Sequence, residues 1–150
     1  MQDDEAVALS EERVTPRDQD TLITALRIQQ RAADVGFDWP NARGPLEKVK
    51  EETRELEAEL TPEGTAPRSP LPRVEDEIGD LLFAVVNLSR KLRIDPRTAL
   101  ERASEKFRRR FEGVERLATE RGMDVGRASL AELDQLWDEV KASDAHGHSL

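Results

Sequence analysis

The chain has no cysteine, few aromatic residues and no surplus of positive charge. Without thiols there are no disulfides and no thiolate ligands or nucleophiles, which fits a reducing compartment. Net charge is −9 over 150 residues and aromatics make up only 4%. No basic run, aromatic platform or zinc-finger spacing offsets this, so the composition argues against a nucleic-acid partner. No apolar run approaches the ~20 residues of a membrane span. The acidic start MQDDEAVALSEERV lacks the apolar segment of a signal peptide. The expected location is the cytoplasm, with no membrane partner. A GxxxxGK[ST] phosphate loop is also missing, so any phosphate binding must come from metal and side chains.

What the sequence has is charge, 37% of residues, and apolar positions at helical spacing. One stretch organises the rest: residues 74–92, VEDEIGDLLFAVVNLSRKL. As a helix it is apolar almost all round through Ile78, Leu81, Leu82, Phe83, Val85, Val86, Leu88 and Leu92. A narrow line differs, carrying Glu77, Asp80, Asn87 and Lys91. The helix is expected to be buried on most sides, and charges in such a place need compensation. Upstream, KVKEETRELEAEL carries Glu52 and Glu55 beside an apolar face of Leu46, Val49, Leu56 and Leu60. Two acidic pairs at i, i+3 therefore exist, Glu52/Glu55 and Glu77/Asp80. Antiparallel packing of the two helices brings four carboxylates together, where they repel unless a cation joins them. An all-oxygen set suits a hard ion, Mg²⁺ with Mn²⁺ as substitute. The bland reading is that Glu-rich helices are solvated surfaces; the apolar setting of the second pair weighs against it.

One domain is expected over residues 18–142, between a flexible arm at 1–17 and a disordered tail at 143–150. Five helices account for it. The first spans residues 18–35 and stops at Gly36, followed by the turn-rich GFDWPNARGP. Phe37 and Trp39 in this loop read first as caps on the hydrophobic core, or else as aromatics near a ligand. The second helix follows Gly44-Pro45 and ends near Leu60. A loop with four prolines, expected to be exposed and mobile, leads to the organising helix. Asp95-Pro96 opens the fourth helix, which runs to about Arg121 with Leu100, Ala103, Phe107, Phe111, Val114 and Ala118 on its buried side. Lys106, Arg109 and Arg110 cluster on it, either as a solvated basic flank or as a phosphate clamp. Ser129-x-x-Glu132 is a capping box for the fifth helix, where Trp137 reads as core or as a ring-stacking surface, with Lys141 one turn on.

GFDW, EETRE, EDEIGDLLFAVVNLSRKL, SEKFRRRF and the Trp137–Lys141 pair together resemble the MazG nucleoside triphosphate pyrophosphohydrolases, over roughly residues 23–141. The resemblance implies an all-α fold with a four-helix core completed by a homodimer, and room here for one catalytic-type module. It implies hydrolysis of an NTP or dNTP to the monophosphate and pyrophosphate with Mg²⁺, in a role that cleans the nucleotide pool. By position, Glu52, Glu55, Glu77 and Asp80 are implied as metal ligands. Lys106 and Arg110 would hold the triphosphate, and Trp137, Lys141 and Asn87 would contact the nucleotide. Glu51, beside the ligands, is the candidate for orienting or deprotonating the attacking water. Where the family often has Asn before Glu-Lys-Phe, this chain has Ser104.

Two other readings compete. A carboxylate di-iron bundle wants Glu-x-x-His on two helices, and neither acidic pair has a His. A non-enzymatic helical oligomer that docks a partner through its apolar helices would leave an acidic cluster without a purpose.

Overall fold

The computed structural model describes residues 20–146, so the expected arm at 1–17 lies outside the described residues, as do the last four positions. The described residues form five helices: α1 (Thr21–Asp34), α2 (Arg43–Ala58), α3 (Leu71–Lys91), α4 (Pro96–Glu120) and α5 (Leu130–His146). No strand occurs among them beyond an isolated bridge between Leu60 and Pro67, and the all-α expectation holds. The span expected as one domain contains two compact units, one through Arg97 and one from Thr98 onward. Helix α5 continues past residue 142, into the segment expected as tail.

In the first unit, α1 and α2 both pack on α3. Asp20 caps α1, its Oδ1 accepting from the backbone N–H of Leu22 at 3.0 Å. Gly36, at φ +90°, ends α1 as anticipated. Its N–H bonds to Ala33 O and that of Phe37 to Ala32 O, a Schellman arrangement that only a left-handed residue allows. The turn between α2 and α3 is exposed, as expected, yet it is tied internally. The backbone N–H of Thr61 reaches Ala66 O, and the Thr61 hydroxyl accepts from Thr65 and Ala66. Arg68 N–H donates to Glu59 O at 2.7 Å. Buried Glu59 then pairs with Arg73 Nε at 2.9 Å, joining the end of α2 to the start of α3. The clasp is in register with the acids beyond it: one turn back along α2 is Glu55, and one turn on along α3 is Glu77.

The expectation that α3 is buried on most sides needs correction. Val74, Ala84 and Val86 are buried, but Ile78, Leu82, Val85 and Leu92 remain 42–56% exposed. These four recur at spacings of three, four and seven, which places them on one stripe. Flanking helices cover α3 on its sides and leave that stripe open in a single chain.

In the second unit Val114, Ala118 and Leu136 form the core, with Leu117, Met123, Val125, Leu133, Trp137 and Val140 packed around them. A Cβ at Gly113 would meet both Val140 methyls at 3.1 Å, so a glycine permits the approach of α5 to α4. The capping box forms: Ser129 N–H donates to Glu132 Oε2 at 2.8 Å, and Glu132 N–H returns a bond to the Ser129 hydroxyl. The predicted buried side of α4 is only partly buried, because α5 packs on its C-terminal half. Leu100, Phe107 and Phe111 stay exposed.

Candidate metal centre and its surroundings

Three of the four predicted carboxylates converge. Glu52, Glu55 and Glu77 each offer an oxygen, and these oxygens lie within 4.8 Å of one another. Glu52 is only 4% exposed. Its Oε1 pairs with Lys48 Nζ at 2.5 Å, while its Oε2 is buried and has no partner among the described residues. A buried carboxylate oxygen without a hydrogen bond is costly, so it is suited to a cation. Lys48 holds the Glu52 carboxyl below its usual range, and hydrogen bonding to Glu52, ahead of burial and the charge of Glu52, raises Glu55 above its own. Asp80, the fourth candidate, is exposed and outside this group. Asp80 is one turn along α3 from Glu77, about 60° round the helix, so it is near the same face but its carboxylate is not among the converging oxygens.

Repulsion between Glu52 and Glu55 gives a directional test. In metal-free protein, Glu55→Gln is expected to melt at a higher temperature than the parent near neutral pH, because a group whose folded pKa is raised weakens the fold as it ionises. The same variant should gain less in Tm from added Mg²⁺. A lower melting temperature in the metal-free state would show that the carboxylates do not repel.

Lys48 was not anticipated. It stands four residues before Glu52 and three before Glu51, and its Nζ also contacts Glu51 at 3.1 Å. Its i, i+4 relation to a buried glutamate was the available signal. Glu51, the candidate for handling water, is thus an exposed partner of this lysine.

The loop after α1 also departs from expectation. Phe37 is 84% exposed and Trp39 44%, so neither caps the core. Asp38 fastens the loop to α3 instead, accepting from both terminal nitrogens of Arg90 and from Lys91 Nζ. Those cations hold the Asp38 carboxyl far below its ordinary range. Lys91 Nζ also donates to Trp39 O, so the polar line of α3 finds its compensation here as well as at the carboxylates. Trp39 lies over Gly44, where a Cβ would fall 2.3 Å from the ring. Gly44→Ala is therefore expected to drive the indole from its seat. Overpacking costs about 1–3 kcal/mol and the gain in helix propensity returns about 1, leaving a net loss near 1 kcal/mol. A red shift in tryptophan emission with a reduced Tm would report it; unchanged emission would count against the contact.

Loop and helices form an open cavity of about 540 Å³, lined among others by Gln29, Phe37, Asp38, Trp39, Phe83 and Asn87. Asn87, predicted to contact substrate, accepts from Arg90 Nε at 3.0 Å. In the second unit Arg110 Nε pairs with Asp144 at 2.9 Å and Arg109 joins the same carboxylate. Lys141 pairs with Asp138 at 2.8 Å, and Lys106 is exposed. Trp137 packs against the core of that unit and meets Phe107 with ring centroids 5.2 Å apart.

Residues 44–114 match the family model of the MazG nucleotide pyrophosphohydrolase domain. Over 123 residues the chain is 42% identical to a Thermotoga maritima protein named nucleoside triphosphate pyrophosphohydrolase/pyrophosphatase MazG, covering 82% of this chain and 45% of that protein. An Escherichia coli K12 nucleoside triphosphate pyrophosphohydrolase is 40% identical over 126 residues, 84% of this chain and 46% of its own length. The Bacillus subtilis protein YabN is 44% identical over 68 residues, which are 45% of this chain and 14% of that one. The chain thus spans about half the length of the first two relatives.

Proposed function

The chain is a member of the MazG nucleotide pyrophosphohydrolase family, and from that premise we propose that it hydrolyses NTPs or dNTPs to the monophosphate and pyrophosphate. The observation that carries this reading is the oxygen-only group of Glu52, Glu55 and Glu77, one member of which, Glu52, keeps a buried oxygen without a partner among the described residues. That donor set fits Mg²⁺, or Mn²⁺ in its place. A bound divalent ion would supply positive charge to the phosphates and lower the pKa of a water.

The chain's own residues do the rest of the work. Glu52, Glu55 and Glu77 would hold the ion, with Asp80, one turn along α3, as the fourth candidate. Lys48 neutralises Glu52, and a bound cation would take over that role. Glu51 orients the attacking water and takes its proton. Lys106 and Arg110 bind the triphosphate and meet the charge that grows on the leaving pyrophosphate. Phosphate must displace Asp144 from Arg110, a swap of one anion for another. Trp137, Lys141 and Asn87 contact the nucleotide. A pool-cleaning role in the cytoplasm agrees with an acidic chain whose described helices are none of them long and apolar enough to cross a membrane.

The working form proposed is a homodimer. The open stripe of α3 supplies surface for it, since monomers seldom expose contiguous apolar patches. Incubating the protein with a panel of NTPs and dNTPs, with Mg²⁺ and with EDTA, and measuring pyrophosphate tests the activity. Release of orthophosphate alone, or no release, would return the chain to the alternative of a helical interaction module.

A further inference from the structure

Gln29 is a polar residue at an apolar position. It falls on the stripe of α1 that carries Leu22, Leu26 and Ala33, and it is only 5% exposed. Its Nε2 donates to the backbone carbonyl of Phe83 at 2.8 Å. A carbonyl can only accept, so this bond fixes which way the amide faces. Oε1 is left buried with no partner among the described residues. A buried acceptor without a donor is disfavoured and has few reasons to persist in a stable helix pair. Gln29 forms part of the wall of the 540 Å³ cavity, together with the aromatic rings of Trp39, Phe37 and Phe83 and the amide of Asn87. Cavities of this size, mainly apolar with a few placed polar groups, hold small planar ligands. The loop that carries two of the rings is pinned by Asp38 to Arg90 and Lys91, so the aromatic wall is held in place before any ligand arrives.

We propose that this cavity is the base subsite, and that Gln29 Oε1 selects nucleobases bearing an exocyclic amine. The proposal rests on the nucleotide-hydrolase reading above. The chemistry follows from the recessed position of Oε1. A ring N–H lies within the outline of the base, whereas an exocyclic amine projects beyond it and can reach an acceptor set back in a wall. Because the Phe83 carbonyl forbids the flipped amide, Gln29 cannot turn a donor toward a keto oxygen at the same spot. Adenine, cytosine and guanine meet this demand along their pairing edge, whereas uracil, thymine and hypoxanthine do not. Trp39 and Phe83 supply flat apolar surface for the ring.

The test uses the full chain without metal, titrated with adenosine and with purine riboside, the same nucleoside lacking the amine. Binding is followed by calorimetry, and tryptophan emission is compared with that of Trp39→Phe. Adenosine is expected to bind about tenfold tighter than purine riboside, the scale of one hydrogen bond to a buried acceptor. In Gln29→Leu the two should bind alike, and in Trp39→Phe the emission change on binding should be lost. Equal affinities in the unmutated protein, no binding of either nucleoside, or a preference that survives Gln29→Leu would each overturn the proposal. The comparison of ligands on the unmutated protein stands even if Gln29→Leu does not fold. Nucleosides carry no phosphate, so a failure here leaves the hydrolase reading standing, and an absence of pyrophosphate release leaves this measurement legible.

Discussion

Glu77→Gln is expected to lower kcat/KM for Mg²⁺-dependent pyrophosphate release by at least a factor of about a hundred, with the helical circular dichroism unchanged. Loss of outer partners that merely orient ligands costs ten- to a hundredfold, so removal of a ligand should cost no less. Gln is nearly isosteric with Glu, and Glu77 is partly exposed on the flank of α3 that faces α2. The fold therefore does not depend on its charge. With the charge gone, a cation would meet Glu52 and Glu55 alone, and Glu52 is already paired with Lys48. Asp80→Asn is expected to act in the same direction, although Asp80 stands outside the converging oxygens. Measuring both variants separates two ideas. Full turnover by Asp80→Asn would remove that residue from the ligand set, whereas full turnover by Glu77→Gln would sink the metal centre itself.

The second large effect concerns the open stripe of α3. Leu82→Asp is expected to weaken self-association by about a thousandfold or more, seen as a shift from dimer to monomer in sedimentation at micromolar concentration. Leu82 is 56% exposed in one chain and sits between Ile78 and Val85 on the same stripe. Burial of a leucine side chain contributes about 1.5–3 kcal/mol, and a two-fold interface counts the loss twice. A carboxylate forced into an apolar contact adds a desolvation cost of several kcal/mol. Thr24→Asp on the exposed surface of α1 is the control for charge alone. If Leu82→Asp sediments as the parent does, the stripe is not the interface.

Much of the fold was legible in the sequence because it depends on local signals. Gly36 ends α1 for a steric reason that neighbouring residues cannot change. Ser129 and Glu132 cap α5 by bonds three residues apart. Helix α3 begins three residues earlier than read, at Leu71, because Pro72 is tolerated in a first turn whose N–H groups have no helical acceptor. The carboxylate pairs were legible too, since two acids at i, i+3 on a largely apolar helix stand out against their surroundings. Partners far apart in sequence were not. Nothing near Asp38 announces that Arg90 and Lys91 will hold it, and nothing near Phe37 says that it will stand clear of the core.

The sequence by itself determined the helices, the family and the acids available for a cation, because helical period, capping and short motifs are written in residues a turn or two apart. Only the tertiary structure decided which acids meet, that Lys48 answers Glu52, and that Gln29 keeps an acceptor without a donor. Those outcomes depend on the register in which α2 and α1 pack against α3. A shift of one residue in either would turn each side chain by about 100° and bring different groups together.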